Sequence, residues 1–555
     1  MPEIEISFGL FDVTAKQDSS ISASNIQPFI DVNDLKLESV YPDAYATGEP
    51  NYWKLDGNFI PFPDVPENQT WGLWGLLCSQ SDTKFINPIV LKINMTELHS
   101  SLGLTIEFCP YGNNYCNDLN IQWYHNDTLL SSKDFQPDRW RYVCLNTINN
   151  YNRLIITFRG MNQPYRLLKV QNVAHGAAEV FTNDDLVSCS LLETVDLTSA
   201  TLEINTLEFN LISGDEKFNI FNPQGIFTLL QKRQEISIEA QDNDSVINYG
   251  TFFLSEWENS SYDNMRFSCE DCLSIMDDVQ YEGGIYNNIS ANTIIEDIVT
   301  KAGFGYTLDP QLATATLTGH LPILSSRESL QHIAMAIGAY VDTSRSGMLR
   351  IYKMPTTTLT SKTITRDDKF DSTKATQRTY VSGINVTAHT FIKDTTVERL
   401  YEDDDATLGT QVITFDTPCE ITSTSGCLVI SSNCNQAVIN VLDSNVVIKG
   451  NKYIDNTSIY TINDENLIAG QKENVIDITD VQLINKNNVA EIASRVYNYY
   501  KYRLEQEISI VLTNETVGMG INVETMNNYY TKGIITSLET DMVGGFVSKV
   551  GVVSE

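Results

Sequence analysis

Basic residues are scarce in this chain. It has 37 lysines and arginines against 71 aspartates and glutamates, which gives a formal net charge of −34 over 555 residues. A surface of that sign repels phosphate backbones, and no basic run interrupts it, so we expect no tight nucleic-acid binding. The usual role of such a charge is solubility. The same charge would suit a surface past which a polyanion such as DNA moves without binding, and charge alone does not distinguish the two roles.

Long apolar runs are also missing. No stretch approaches the 18 uncharged apolar residues of a membrane-spanning helix. The first residues lack the basic region and the apolar core of a secretory signal. We therefore expect a soluble protein without a membrane span, which leaves a cell by lysis or as part of a particle.

Histidine is in short supply, and with it the commonest catalytic base. The six histidines have no HxH or HxxxH spacing, and there is no GxSxG, P-loop or GxGxxG motif. They are His99, His125, His175, His320, His332 and His389. A hydrolase of exopolysaccharides would need two facing carboxylates, and nothing singles out a pair such as Asp263 and Glu270. We predict no catalytic residues and no enzymatic activity.

No metal site or cofactor is predicted either. Cys269 and Cys272 form a lone CxxC without the second pair that a zinc ribbon needs. The acidic run 402–405 lacks the alternating ligands and mid-loop glycine of a calcium loop. Cys109 and Cys116 bracket a short Gly-Asn loop, and their disulfide state stays open because pairing needs an oxidising medium.

The residues that are present favour strands. Val, Ile, Thr, Tyr and Phe are plentiful, and alternating apolar runs are separated by polar turns. The predicted fold class is mainly β with a small α/β module, and the length requires several domains. We assign residues 1–45 to strands that pair with a first barrel, 46–175 to an inserted antiparallel β-sandwich, 176–286 to that first β-barrel, 287–374 to a helical α/β module, and 375–555 to a second β-barrel with insertions.

Helix signals mark the α/β module. Ser290 precedes a run with one apolar face, and Ser325 with Glu328 forms a capping box before a second such run. A hairpin over 340–352 follows. A third helix is predicted from Val489 to Tyr500, and the last two strands form a hairpin that turns at 541–544.

Aromatic residues are concentrated in the predicted sandwich, which holds five of the six tryptophans. Sugar rings stack on exposed aromatic faces, so Trp71, Trp74, Trp123 and Tyr124 are the candidates for a glycan-binding platform. A core role competes with this, because sandwiches need large buried side chains. Trp123 and Tyr124 are neighbours on one strand, so one points inward and the other outward.

A family resemblance rests on the order of several segments after residue 200. They are 221–227 (FNPQGIF), 250–257 (GTFFLSEW), 281–286 (YEGGIY), 327–339 (RESLQHIAMAIGA) and 517–523 (VGMGINV), the last followed by 533–535. Together they resemble the tail-hub, or baseplate-hub, family of phages and phage-derived particles. In the last segment, Met519-Gly520 stands where such hubs often carry Gly-Asp. The region 50–175 is similar to carbohydrate-binding-type sandwiches inserted into phage tail proteins.

The resemblance implies an architecture and a set of partners. Such hubs are homotrimers in which two barrels per subunit make a pseudo-hexameric ring that joins the tail tube to the tip, and DNA crosses the lumen. The implied partners are tail-tube and distal tail proteins, a central spike, tape-measure or hydrolase protein on a separate chain, and a host-surface glycan. The implied location is the tail tip or baseplate of a virion made in the bacterial host cytoplasm. The alternative is a tail adhesin whose main work is receptor binding.

Overall fold

The structure is a computed structural model, and it describes residues 3–36, 45–50, 60–61, 71–109, 114–212, 220, 232–242, 245–259, 264–354, 360–370, 373–464 and 474–555. It divides into two compact units, Ser7–Val180 and Met1–Ile6 with Phe181–Glu555. The α-helices of the described residues are α1 Val13–Asp18, α2 Cys272–Asp277, α3 Ala291–Lys301, α4 Ser326–Ile337 and α5 Val489–Tyr500. None of these is long and apolar enough to cross a membrane.

Long antiparallel strands build the Ser7–Val180 unit. In chain order the first strands are β1 Glu3–Phe11, β2 Ser20–Ser24, β3 Tyr45–Ala46, β4 Ile60–Pro61, β5 Leu73–Trp74, β6 Lys84–Phe108, β7 Cys116–His125, β8 Thr128–Phe135, β9 Arg141–Met161 and β10 Lys169–Thr182. β9 pairs with both β6 and β7, β8 pairs with β7, and β10 pairs with β6 and β5. Their inward side chains form one core that includes Leu104, Trp123, Ile156 and Phe158, all fully buried. Burial of each such side chain stabilises the fold by about 1.5–3 kcal/mol.

The position of β2 differs from the predicted domain boundary. β2 pairs with β6, from Ser20 opposite Asn94 to Ser24 opposite Val90. The sequence assigned residues 1–45 to strands that pair with the first barrel. β1 does pair with the strand Glu235–Asp242 of that block, whereas β2 extends the sandwich sheet. Ile21 packs partly buried against the sandwich core. A short strand in a single sequence carries no information about which distant strand it pairs with.

The Phe181–Glu555 unit begins with a five-stranded antiparallel block. Its strands are β11 Leu186–Thr194, β12 Thr206–Ile212, β13 Glu235–Asp242, β14 Ser245–Asn259 and β15 Asn264–Glu270. They pair in the order β13-β14-β15-β12-β11. Phe209 lies opposite Phe267, and their rings stack with centroids 5.0 Å apart. The turn predicted at 222–225 lies outside the described residues.

The helical module follows, with α2, α3 and α4 interleaved with short strands. These strands are β16 Gln280–Tyr281, β17 Gly284–Ser290, β18 Tyr306–Leu308, β19 Thr316–Leu321, β20 Leu324–Ser325, β21 Ala339–Asp342 and β22 Leu349–Lys353. The predicted capping box at the start of α4 is confirmed, because Ser325 Oγ accepts from Glu328 N at 3.1 Å and the Glu328 carboxylate accepts from Ser325 N. Gly338 ends α4 in the left-handed region (φ 77°). Ser290 precedes α3 without a side-chain cap bond.

The rest of the chain returns to β structure. Its strands are β23 Thr360–Ile364, β24 Lys374–Gln377, β25 Gly383–Ala388, β26 Phe391–Asp403, β27 Gly409–Thr414, β28 Cys419–Ser425, β29 Cys427–Ser432, β30 Gln436–Val441, β31 Val446–Asp455, β32 Ser458–Asn463, β33 Val475–Ile478, β34 Leu504–Val511, β35 Gly520–Glu524, β36 Tyr530–Asp541 and β37 Val547–Ser554. The predicted third helix is confirmed as α5, and the closing hairpin as β36–β37. Just before β35, Gly518 has φ 78° and an added Cβ would lie 2.8 Å from the Tyr340 hydroxyl, so glycine is strongly favoured there.

Two features organise this second β region. First, β11 pairs with β36, from Ser190 opposite Asp541 to Thr194 opposite Ser537, so the two ends of the Phe181–Glu555 unit share one sheet. Second, residues 391–455 fold into a small sandwich of two three-stranded sheets, β26-β31-β28 and β27-β30-β29. Ile413, Ile439 and Ile448 lie in its core. The predicted fold class, mainly β with a small α/β module and an inserted sandwich, is confirmed.

Candidate functional site

The structure separates the four predicted aromatic candidates. Trp123 is fully buried, and its ring lies edge-on to Phe135 with centroids 6.4 Å apart. Trp71 and Trp74 form a perpendicular pair with centroids 4.9 Å apart, and they are 9% and 1% exposed. Their ring faces are covered by protein, so the three tryptophans make no open platform for a sugar.

A buried ion pair lies against Trp74. Lys169 Nζ lies 5.1 Å from the Trp74 ring centroid and 2.5 Å from Glu49 Oε2. Lys169 and Glu49 are 5% and 0% exposed. The ammonium group therefore sits between an aromatic face and a carboxylate, and Trp74 serves this internal contact.

Tyr124 is the one candidate that reaches the surface, as the alternation along β7 predicts. The Arg153 guanidinium lies 4.5 Å from its ring centroid, and the Tyr124 hydroxyl donates to Gln122 Oε1 at 3.0 Å. Arg153 also contacts Asp127, whose side chain is 98% exposed, at 3.1 Å. The two-residue turn between β7 and β8 holds Asp127 next to Asn126, which has φ 52°, as such turns require. An aromatic ring on β7, a guanidinium on the neighbouring strand β9 and the exposed carboxylate that pairs with it thus lie together at the turn of the β7–β8 hairpin.

His99 has a structural role in the same unit. Its Nδ1 lies 2.8 Å from Asp12 Oδ2, and its Nε2 lies 3.2 Å from Asp18 Oδ2. Burial disfavours the charged imidazolium, but the hydrogen bonds to both carboxylates outweigh it and raise the pKa of His99. The backbone N–H of Glu97 and the other donors around Asp18 lower the pKa of that carboxyl to about 2. The imidazole therefore ties both ends of α1 to β6.

The other buried histidines are also engaged within the fold. His320 contacts Gln482 Oε1 and Asn435 Oδ1, each at 2.6 Å. His389 contacts Asp455 at 2.7 Å. Burial lowers the pKa of His175 to about 4, and its ring stacks on Tyr151. These contacts occupy the imidazoles with neighbouring protein groups rather than with a cleft.

A buried ionic junction, which the sequence did not reveal, lies in the Phe181–Glu555 unit. Arg345 binds Glu193 with two hydrogen bonds of 2.8 and 2.9 Å, and the two side chains are 10% and 1% exposed. The Arg345 guanidinium also lies 4.4 Å from the ring centroid of Tyr249. Arg345 stands in the turn of the β21–β22 hairpin and Glu193 on β11, so this pair anchors the helical module to the β block. The two residues are 152 positions apart, so no short stretch of the sequence could predict that they pair.

Asp271 forms the second part of that junction. Its carboxylate accepts from Thr343 Oγ1 at 2.5 Å, Asn205 N at 2.9 Å and Leu273 N at 3.0 Å. Burial raises the pKa of Asp271 to about 6, although these hydrogen bonds lower it. Asp271 is therefore the N-cap of α2 and at the same time an internal bridge to the β21–β22 hairpin.

The cysteines and acidic residues form no metal centre in the part of the chain that the structure describes. There, no group of three or more His, Cys, Asp or Glu residues is placed to hold an ion. Cys109 and Cys116 are free and buried, and burial raises the pKa of Cys116 to about 12. Cys269 and Cys272 are also free, and burial raises the pKa of both thiols. These groups are inert core thiols.

The chain is similar to solved tail proteins at the level of fold. It is similar to the 43 kDa tail protein of prophage MuSo2 from Shewanella oneidensis, with 10% identity over 68% of this chain and 95% of that chain, at a TM-score of 0.41. A tail protein from Neisseria meningitidis matches with 9% identity over 68% of this chain and 94% of that one, at a TM-score of 0.42. A family 32 carbohydrate-binding module of Clostridium perfringens NanJ, solved with galactose, matches with 11% identity over 31% of this chain and 99% of that module, at a TM-score of 0.19.

No family model and no curated protein matches the sequence. The solved structures that match are tail proteins and a carbohydrate-binding module, which are the two kinds of protein that the sequence resembles. At such identities the likeness concerns the fold alone.

Proposed function

We propose that this chain is a structural hub subunit of a phage or phage-derived tail tip, in which copies form a ring that joins the tail tube to the tip. The observation that carries the proposal is the pairing of β11 with β36. It places the β11–β15 block and the block of β34, β36 and β37 side by side in one sheet, although the helical module and the 391–455 sandwich separate them in sequence. An assembly of three chains presents six similar units to a tube if each chain contributes two. Two adjacent β blocks per chain meet that requirement.

The charge distribution supports passage of DNA through such a ring. An open hollow of about 950 Å³ on the first block is lined by Glu208, Glu256, Glu258 and Glu270, together with Arg266 and other residues. Arg266 is neutralised by Glu208 at 2.6 Å and faces Glu258 at 3.7 Å. Lys232 also lines the hollow, so four glutamates stand against two cations. The lining is net negative, which disfavours tight binding of a polyanion such as DNA.

The proposal includes no catalytic step. His99, His320 and His389 are bound to neighbouring side chains, and Asp271, whose pKa is about 6, is fully buried behind three protein donors. A substrate has no route to that group. We therefore assign any wall-degrading activity of the particle to a different polypeptide, and we propose tail-tube, distal tail and spike or tape-measure proteins as neighbours.

We also propose that the Ser7–Val180 sandwich contacts a host glycan through the hairpin tip around Tyr124. The partly exposed tyrosine ring can stack on a sugar face, while Arg153 and the exposed Asp127 that pairs with it can bind its hydroxyl groups. If this contact were the main task of the chain, the protein would be a receptor-binding adhesin, which is the second candidate function.

Deletion of the gene and imaging of the resulting particles separates the two functions. A hub is required for assembly, so we expect no complete tails without the chain and three copies per tail tip in the wild type. Intact tails that fail to adsorb would instead identify an adhesin and overturn the hub proposal.

A glycan array with the full-length chain tests the sandwich. We expect binding that Tyr124→Ala reduces at least about tenfold, because stacking on an aromatic ring supplies much of the affinity in sugar sites. Tyr165→Ala is the matched control, since Tyr165 is a tyrosine of the same unit with 48% exposure and stands apart from the hairpin. Equal binding by the wild type and Tyr124→Ala would refute the assignment of this tip.

A further inference from the structure

One face of the 391–455 sandwich is apolar and exposed. It is the outward side of the β27-β30-β29 sheet, and we call it the uncharged face. Five of its side chains are each more than half exposed: Leu408 (67%), Val412 (63%), Leu428 (59%), Ile430 (61%) and Leu442 (58%). They leave roughly 500 Å² of apolar surface in water, near the upper end of what a monomer normally exposes.

Strand register makes these residues neighbours. Val412 lies opposite Val438, and Leu428 lies opposite Asn440. A bulge in β29 between Val429 and Ser431 turns Ile430 to the same side. Side chains on one face alternate along a strand, so Val412 and Leu428 lie on the same outward face as their neighbours Val438 and Asn440.

Charge sets this sheet apart from its partner in the same sandwich. No Asp, Glu, Lys or Arg occurs between Ile421 and Leu442, in a chain whose net charge is −34. The opposite sheet, β26-β31-β28, carries ion pairs between its strands: Lys393 with Glu420 at 2.6 Å and Lys452 with Glu398 at 3.1 Å. Both sheets have three strands, and the strands of β27-β30-β29 contain no charged residue.

The edges of the sheet are also open. In the described residues, β27 and β29 each pair with β30 alone. Exposed edge strands are usually protected by lysine, proline or inward charges, because their free N–H and C=O groups pair with other strands. β27 and β29 contain none of these residues. A flat, apolar and unprotected edge is suited to contact with another β surface.

We propose that the uncharged face is the surface through which copies of this chain associate with each other. The chain carries a net charge of −34, so two copies that approach each other repel on average. The uncharged face removes that repulsion, and its Thr, Asn and Gln neighbours can hydrogen-bond to identical groups. The inference deepens the proposed function, from which it takes only that the chain assembles with itself.

The test uses the full-length chain and two double variants. Val412→Glu with Ile430→Glu places two carboxylates on the face, where an interface would bury them without partners. The matched control is Ile86→Glu with Ile459→Glu, which adds the same charge at residues that are 65% and 70% exposed elsewhere. Sedimentation velocity over a range of concentrations gives the mass of each protein, and thermal melting reports its folding.

We expect the wild type and the control to sediment as a multiple of the chain mass. The Val412/Ile430 variant should melt at the same temperature and dissociate at least about 100-fold more readily, since an unpaired buried charge costs several kcal/mol. A wild-type monomer at all concentrations, an intact oligomer in this variant, or equal dissociation of the control would each overturn the inference. An intact oligomer in this variant would be compatible with the hub proposal, because the copies could associate through another surface. Failure of the hub proposal would be seen separately, as complete tails that assemble without the chain.

Discussion

Replacement of Asp271 by asparagine gives the sharpest test of the buried junction. The pKa of this carboxyl is about 6 in the folded protein, against an ordinary value of 3.8. One pKa unit corresponds to about 1.4 kcal/mol, so the folded state favours the neutral acid by about 3 kcal/mol. Because the folded pKa is raised, this stability is fully present below pH 3.8 and is lost as the pH rises through 6. Between pH 5 and pH 7 the loss amounts to about 1.3 kcal/mol.

Asp271→Asn is neutral at every pH and should lack that loss. Amide hydrogen exchange of peptides that cover α2, measured in guanidinium at pH 5, 6 and 7 and corrected for intrinsic rates, gives the local unfolding free energy. We expect the wild type to lose about 1.3 kcal/mol relative to the variant over this range. Asp309→Asn is the control, since Asp309 caps a short 3-10 turn at the surface. Parallel curves for the wild type and Asp271→Asn would refute the assignment of a buried, neutral carboxyl.

Three further predictions follow from the same geometry. Trp123→Ala should lower the free energy of unfolding of the sandwich by about 3–5 kcal/mol, whereas Tyr124→Ala should change it by less than about 0.5 kcal/mol. Equal effects of the two substitutions would contradict the opposite orientations of these side chains. Since the pKa of His99 is raised, the stability that it supplies is full below pH 6.5 and falls as the pH rises through the folded pKa. If the unfolding free energies of the wild type and of His99→Gln change in parallel with pH, His99 does not supply this stability. Glu193→Ala should cost about 3–5 kcal/mol by leaving Arg345 buried and unpaired, and equal stability in denaturant would contradict the junction.

Local chemistry made part of the fold predictable from the sequence. The capping box of Ser325 with Glu328, the stop at Gly338 and the apolar stripe of α5 each lie within a few residues, and the structure contains all of them. The strand alternation that turns Trp123 inward and Tyr124 outward is equally local. Such features depend on hydrogen bonds and side-chain periods that a short window contains.

The rest depends on distant partners. The ion pair beside the buried Trp74 joins Lys169 to Glu49, 120 residues apart, and the contacts of His99 join residues more than 80 apart. Separate recognition of the 391–455 sandwich would have required the pairing of β26 with β31, which the sequence pattern does not encode. Composition could therefore suggest an aromatic platform, whereas only the fold decides which rings reach water.

The pairing of β11 with β36 has a consequence for synthesis. Ser190 can pair with Asp541 only after about 350 further residues have been synthesised. At ordinary translation rates the ribosome needs roughly 20–70 s to produce that segment. During this time the edge of β11 offers unpaired N–H and C=O groups to other nascent chains. Expression at lower temperature or with a co-expressed chaperone should therefore raise the yield of folded protein, and truncation before residue 530 should send the product into inclusion bodies.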